Sequence, residues 1–255
     1  MIKSAASITK PNMSKISLGA RELFYSCEGT GAPVVIFEAG LGDTSATWTK
    51  VQPVISQFTC TFSYDRAGLG QSDPAPTPRT CQAMIDDLAE LLAGARINPP
   101  YILVGHSFGG MIARLFASQC AEQIVGMVLL DGSHEDRTTA FEKLLSDELV
   151  ARNRAYLADP SLNPEHLDGG KSNEQLRNAP QQFDFPLAVL TRGLPDEPSP
   201  IWPSADLQRV EQELQREFLK LSPQSSLIIA DKSGHFIQHD QPELIIDAIR
   251  SMLGK

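Results

Sequence analysis

No run of eighteen apolar residues occurs anywhere in the 255 residues of this chain, so no segment has the length of a membrane-spanning helix. The first stretch, Met1 to Lys15, carries lysines but no apolar core long enough for a secretory signal, and a cytoplasmic location is the expectation. Positive charge is scarce: 22 Lys and Arg face 31 Asp and Glu, giving a formal net charge of −9 with no basic cluster. Nucleic acid and anionic membranes would repel such a surface, so neither is an expected partner. Cysteine is limited to Cys27, Cys60, Cys81 and Cys120, without any C-x-x-C pair. Free buried thiols are therefore expected, not disulfides or zinc ligands. Internal repeats and low-complexity segments are also missing.

With 42% hydrophobic and 21% charged residues, the chain can bury a full core as one domain with an insertion. Short apolar runs alternate with amphipathic segments, the pattern of parallel strands joined by crossover helices, so the fold class is α/β. Strands are predicted over Glu22–Ser26, Val34–Phe37, Thr59–Tyr64, Tyr101–Val104, Val125–Leu130, Leu187–Thr191 and Leu227–Ala230. Met84, Ile85, Leu88, Leu91 and Leu92 predict a helix over Arg79–Ala93. Leu207, Val210, Leu214, Phe218 and Leu221 predict another, with Ser204 as its N-cap. A last helix is predicted from Asp240, with Pro242 in its first turn and Glu243 completing a capping-box pattern with Asp240. Residues 133–183 break the alternation and read as an insertion over the sheet, dividing a core of 1–132 and 184–255.

Gly105-His106-Ser107-Phe108-Gly109 lies between the apolar run Tyr101–Val104 and the helical stretch that starts at Gly110. The G-x-S-x-G pattern alone would arise by chance in about one chain in fifteen of this length, so its context has to carry the inference. Here that context is strand, sharp turn, helix. A serine on such a turn takes a strained φ above zero, and flanking glycines let strand and helix approach. Its hydroxyl is lifted clear of the sheet while the helix start aims backbone N–H groups at a bound carbonyl.

A serine oxygen needs a base, and His235 directly follows the last strand-like run. Residues just beyond the carboxyl ends of parallel strands converge on one crevice, so Ser107 and His235 can meet there. Other histidines fit less well: the His106 side chain should point away from the nucleophile, His134 and His166 belong to the insertion, and His239 approaches the last helix. His235 and His239 are spaced i, i+4 but lack the glutamate of H-E-x-x-H, so no metal site is expected. The base needs a carboxylate. Asp131, closing the run Val125–Leu130, and Asp196, in Gly193-Leu194-Pro195-Asp196, both satisfy the order Ser, acid, His; Asp131 is preferred. Glu38 and Asp65 are remote candidates. For an oxyanion hole, the N–H of Phe108 and the N–H of Leu41, in Ala39-Gly40-Leu41-Gly42, are the candidates.

These motifs, together with Tyr64-Asp65-Arg66-Ala67-Gly68-Leu69-Gly70-Gln71-Ser72, resemble those of the α/β-hydrolase superfamily over nearly the whole chain. The resemblance implies an eight-stranded, mostly parallel sheet, a cap domain inserted after the sixth strand, and no cofactor. It carries the nucleophile onto Ser107, the base onto His235 and the oxyanion N–H groups onto Leu41 and Phe108, and it makes the Asp65-to-Ser72 loop structural. This chain departs in having Ala39 where relatives have a histidine. Asp196 matches the usual acid position but is unusually far in sequence from His235, whereas Asp131 matches relatives with the acid after the sixth strand.

The expected activity is hydrolysis of a small carboxylic ester or lactone through an acyl-enzyme. Serine at the elbow argues against haloalkane dehalogenase and epoxide hydrolase chemistry, which relatives perform with aspartate. Amidase, aminopeptidase, perhydrolase and carbon–carbon bond hydrolysis remain open, as does a non-catalytic ligand sensor on the same fold. Apolar Phe141, Leu144, Leu145, Leu149, Tyr156, Leu157 and Leu162 of the insertion either pack on the sheet or line a pocket. The sequence assigns no oligomeric state.

Overall fold

The computed structural model describes residues 12–197, 199 and 201–255, so the first eleven residues of the stretch read for a signal lie outside it. Its eight strands are β1 (Asn12–Leu18), β2 (Arg21–Glu28), β3 (Val34–Glu38), β4 (Thr61–Tyr64), β5 (Tyr101–His106), β6 (Ile124–Leu130), β7 (Leu187–Arg192) and β8 (Ser225–Ala230). They form one sheet in the order β1-β2-β4-β3-β5-β6-β7-β8. Only the β1–β2 and β2–β4 pairs are antiparallel. β3 to β6 are nearly fully buried, as strands covered on both faces must be, and β3, β5 and β6 are mostly apolar.

β1 was not predicted. Asn12-Met13-Ser14-Lys15-Ile16-Ser17-Leu18 is mostly polar and exposed, because an edge strand needs no second buried face and leaves no apolar signal.

The helices are α1 (Gln52–Ile55), α2 (Cys81–Ala95), α3 (Phe108–Gln119), α4 (Arg137–Glu142), α5 (Asp147–Ala158), α6 (Gly169–Asn178), α7 (Ser204–Glu217), α8 (Ile237–Asp240) and α9 (Pro242–Met252). Alternating strand residues feed two cores. Ile36, Phe62, Leu103 and Met127 share one cluster with Met84 and Leu88 of α2 and Ile112 and Leu115 of α3. Val35, Phe37, Val104 and Val128 share the other with Trp48 and with Ile245 and Ile249 of α9. Between β6 and β7 lie only helices and loops, α4 to α6.

Two predicted caps are not formed. Ser204 is the first residue of α7, and its hydroxyl donates to the carbonyls of Glu197 and Trp202; Pro203 precedes it with no side-chain acceptor to offer. Asp240 ends the short α8 and Gln241 precedes α9, with Pro242 in its first turn. The Asp240 carboxylate is instead spent on the loop before His235, accepting from Ser233 Oγ (3.1 Å) and Gly234 N (3.3 Å). Both side chains thus bond to the loops just before them and not to their helix ends.

Among the described residues no helix is long and apolar enough to cross a membrane. No group of three or more His, Cys, Asp and Glu could hold a metal ion there either. All four cysteines are free thiols, with Cys27 and Cys60 Sγ 3.4 Å apart.

Candidate active site

Ser107 links β5 to α3 with φ 52° and ψ −121°, a strained conformation for a residue with a Cβ. Surrounding backbone bonds hold it: Ser107 N donates to Leu130 O, and Ser133 N and Gly110 N donate to Ser107 O, at 2.9 to 3.0 Å. A Cβ on Gly109 would strike the Glu38 and Ala39 carbonyl oxygens, so this glycine lets α3 reach the end of β3.

Strand register then assembles the site. His106 lies opposite Leu130, Leu130 opposite Leu190, and Arg192 opposite Ala230. The residues following β5, β6 and β8 therefore emerge along one carboxyl edge of the parallel sheet. Asp131, the next residue after β6, has φ 43° and a buried carboxylate. Its Oδ2 accepts from His235 Nδ1 at 2.6 Å, while Oδ1 takes longer bonds from Arg192 N (3.3 Å) and Thr191 Oγ1 (3.4 Å). Burial opposes ionisation of Asp131, but the bond and charge of His235 and the charge of Arg192 outweigh it and hold the carboxyl below its usual range. A carboxylate acceptor requires the proton on Nδ1, which leaves Nε2 of a neutral ring as a base.

Asp196 is not brought to His235. It pairs with Arg192 Nη1 at 2.6 Å and is half exposed. Arg192 thus stands between the two candidate acids, its Nε 3.4 Å from Asp131 Oδ2. The other remote candidates are committed elsewhere. Asp65 accepts from Ser45 N, Ser45 Oγ and Gln71 N, bracing its own loop. Glu38 accepts from Tyr64 OH at 2.6 Å, and burial pushes its carboxyl up to about 7.

Leu41, Ser107, Phe108, Asp131 and His235 line one cavity of about 370 Å³, with Met111, Leu157, Leu167, Asn173 and the Arg137–Glu211 ion pair (2.7 Å) among its other walls. Among the described residues neither Leu41 N–H nor Phe108 N–H has a backbone acceptor. Gly40 brings the Leu41 loop against the elbow, where a Cβ would come within 3.0 Å of His106 Nδ1 and 3.5 Å of Ser107 Cβ. Of the apolar insertion residues, Leu157 reaches the cavity, Phe141 is buried, and Leu144, Tyr156 and Leu162 are exposed.

Sequence reasoning passed over a second layer. His106 packs against the loop that carries His235. Its ring centroid is 4.6 Å from that of His235, its Nε2–H donates to His235 O (2.9 Å), and its Nδ1 accepts from Gln238 Nε2 (3.2 Å). Gln238 also donates to Thr47 Oγ1 at 3.0 Å. Burial, and then the neighbouring His235, lower the His106 ring to about 3, so it stays neutral. An arginine closing the strand Leu187–Thr191 was the available hint of Arg192; Gln238 and Thr47 carried no sequence signal.

A family model described as "Alpha/beta hydrolase family" matches residues 35–248. The uncharacterized protein YqjL of Bacillus subtilis is 32% identical over 223 residues, covering 87% of this chain and 84% of that protein. Among solved structures, a thermophilic esterase from Thermogutta terrifontis superposes with a TM-score of 0.64 at 22% identity, covering 95% of this chain and 98% of that one. The epoxide hydrolase CorEH gives 0.68 at 16% identity, covering 96% and 99%. Likeness at such identities speaks to fold alone, since two chemistries share it.

Proposed function

Because the chain belongs to the alpha/beta hydrolase family, we propose that it is a serine hydrolase cleaving a small carboxylic ester or lactone through an acyl-enzyme on Ser107. One observation carries the reading: a serine at φ 52° shares a cavity with a histidine whose Nδ1 is bonded at 2.6 Å to a buried carboxylate. His235 Nε2 takes the Ser107 proton as Oγ adds to the substrate carbonyl, and Asp131 stabilises the imidazolium that forms. The N–H groups of Leu41 and Phe108 receive the oxyanion. His235 then gives the proton to the leaving alkoxide, and water repeats the cycle on the acyl-enzyme. A cavity of about 370 Å³ suits a small substrate. Residues 133–183 act as the cap over it, contributing Leu157, Leu167 and Asn173 to its wall.

The test is hydrolysis of p-nitrophenyl esters from acetate to decanoate by wild type and Ser107→Ala. Turnover is expected for the shorter chains and is lost in the variant. Turnover that survives in Ser107→Ala overturns the assignment, and silence in both proteins shifts weight to a sensor or a narrow-substrate hydrolase.

A further inference from the structure

Arg66 follows β4 in the Asp65-to-Ser72 loop, and its side chain is only 4% exposed. A guanidinium has five N–H donors, and all five have partners here. Nε donates to Glu165 Oε2 and Nη2 to Glu165 Oε1, both at 2.7 Å, a two-pronged pair. The remaining donors reach Ala39 O (2.8 Å), Gly40 O (2.6 Å) and Glu38 Oε2 (3.5 Å). Glu165 comes from the segment between β6 and β7, over a hundred residues from Ala39 in sequence, and is equally buried. Its Oε1 also accepts from Gly42 N at 2.8 Å. Asn163 Oδ1 holds the Glu165 backbone in place, accepting from Glu165 N and Leu167 N.

These bonds clasp residues 39–42 on both sides. The Gly40 carbonyl is fixed by Arg66 and by Asp43 N (3.1 Å), and the next peptide is fixed through Gly42 N. In a planar trans peptide, C=O and N–H point in opposite directions. Holding Gly40 O against Arg66 therefore aims the Leu41 N–H, which belongs to the same peptide unit, away from Arg66. Leu41 lines the cavity that holds Ser107.

Resting on the reading of Leu41 N–H as an oxyanion donor, we infer that Arg66 and Glu165 are positioning residues that set the direction of that N–H. The segment between β6 and β7 then does more than cover the cavity: it supplies the carboxylate that completes the oxyanion hole. Neither residue touches the substrate. The resemblance made the Asp65-to-Ser72 loop structural, whereas this arrangement gives its arginine a share in transition-state geometry.

Glu165→Gln tests this. The NH2 that replaces one carboxylate oxygen only donates, so it faces either Arg66 Nε–H or, in the other flip, Arg66 Nη2–H and Gly42 N–H, and the two-pronged pair is lost either way. With p-nitrophenyl butyrate, kcat is expected to fall about 10- to 100-fold, a part of the 10²- to 10³-fold cost of losing a whole oxyanion donor. KM should stay within about threefold, since the ground-state carbonyl barely uses the hole. Inhibition by a trifluoromethyl ketone, which forms a tetrahedral adduct, should weaken by the same factor as kcat. Titration of Ser107 with a fluorophosphonate counts folded sites. Glu165→Asp retains the charge and withdraws it by one methylene; it should show a smaller loss of the same kind and decides the matter if the glutamine variant does not fold. Folded variants with unchanged kcat and lowered thermal stability overturn the inference and leave the pair a structural anchor. Wild-type turnover that survives Ser107→Ala instead fails the underlying reading.

Discussion

The two loops that face Ser107 are braced in opposite ways. Behind the loop of residues 39–42 stands a buried ionic cluster of Arg66, Glu165 and Glu38. Behind His235 stand His106, Gln238 and Thr47, joined by neutral hydrogen bonds. The difference follows from what each loop does in the proposed reaction. A backbone donor must already point the right way before charge develops, and charge-assisted bonds from a saturated guanidinium hold it rigidly. The base acquires a positive charge during the cycle, and a cationic neighbour 4.6 Å from its ring would oppose that. His106 is kept neutral, so its supporting bonds carry no such cost. The ionic side shows the same economy. Arg66 carries one positive charge and Glu165 takes it in two short bonds, so the second carboxyl, Glu38, is pushed up to about 7 by burial.

The sharpest test of the neutral side is its anchor. Asp131→Asn should lower kcat about 10⁴-fold by favouring the wrong histidine tautomer, with little change in melting temperature. Asp196→Asn, read in the same assay, should stay within about threefold of wild type. The reverse result would place the acid on the half-exposed Asp196 and break the description of this side.

Arg66→Met leaves the buried Glu165 carboxylate without its cation and should cost about 3–5 kcal/mol in urea unfolding. Gln238→Ala leaves His106 Nδ1 and Thr47 Oγ1 short of a donor and should cost about 1–3 kcal/mol. Equal losses would mean that the two braces do not differ in kind.

Protonation gives the finest discrimination. His106 titrates at about 3 in the folded protein against a usual 6.5, so protons bind the unfolded chain first and its contribution to stability is lost as pH falls from 6.5 towards 3. Glu38 titrates at about 7 against a usual 4.5, so its contribution is present below 4.5 and lost as pH rises through 7. Between pH 4.5 and 6.5 the two oppose each other, each with a slope of about 1.4 kcal/mol per pH unit. Glu38→Gln removes one of them. The stability of that variant relative to wild type should rise steadily from pH 4.5 to 7 in thermal melts, and a flat difference would show that Glu38 is ionised throughout.

Much of this site was legible before folding, because strand, turn and helix around Ser107 are local matters of glycine spacing and apolar pattern. The preference for Asp131 over Asp196 rested on sequence distance to His235 and on the resemblance. Strand register supplies a physical basis for it: Asp131 directly follows β6 and meets His235 beyond β8, while Asp196 lies four residues past the end of β7 and is held by Arg192. Ser204 and Asp240 do not serve as caps because α7 starts at Ser204 itself and α9 two residues after Asp240, and both side chains bond to the loops before them.

Sequence alone determined the fold class and the strand, turn and helix around Ser107, and it singled out His235 as the proposed base, since each depends on neighbours within a few residues or on the order of strands along the chain. Tertiary structure alone decided which arginine, glutamate and glutamine stand behind them. Arg66 and Glu165 are 99 positions apart, and His106 and Gln238 are 132 apart. No periodicity links such pairs; only the register of the sheet and the return of the β6–β7 segment over its carboxyl edge bring them within hydrogen-bond reach.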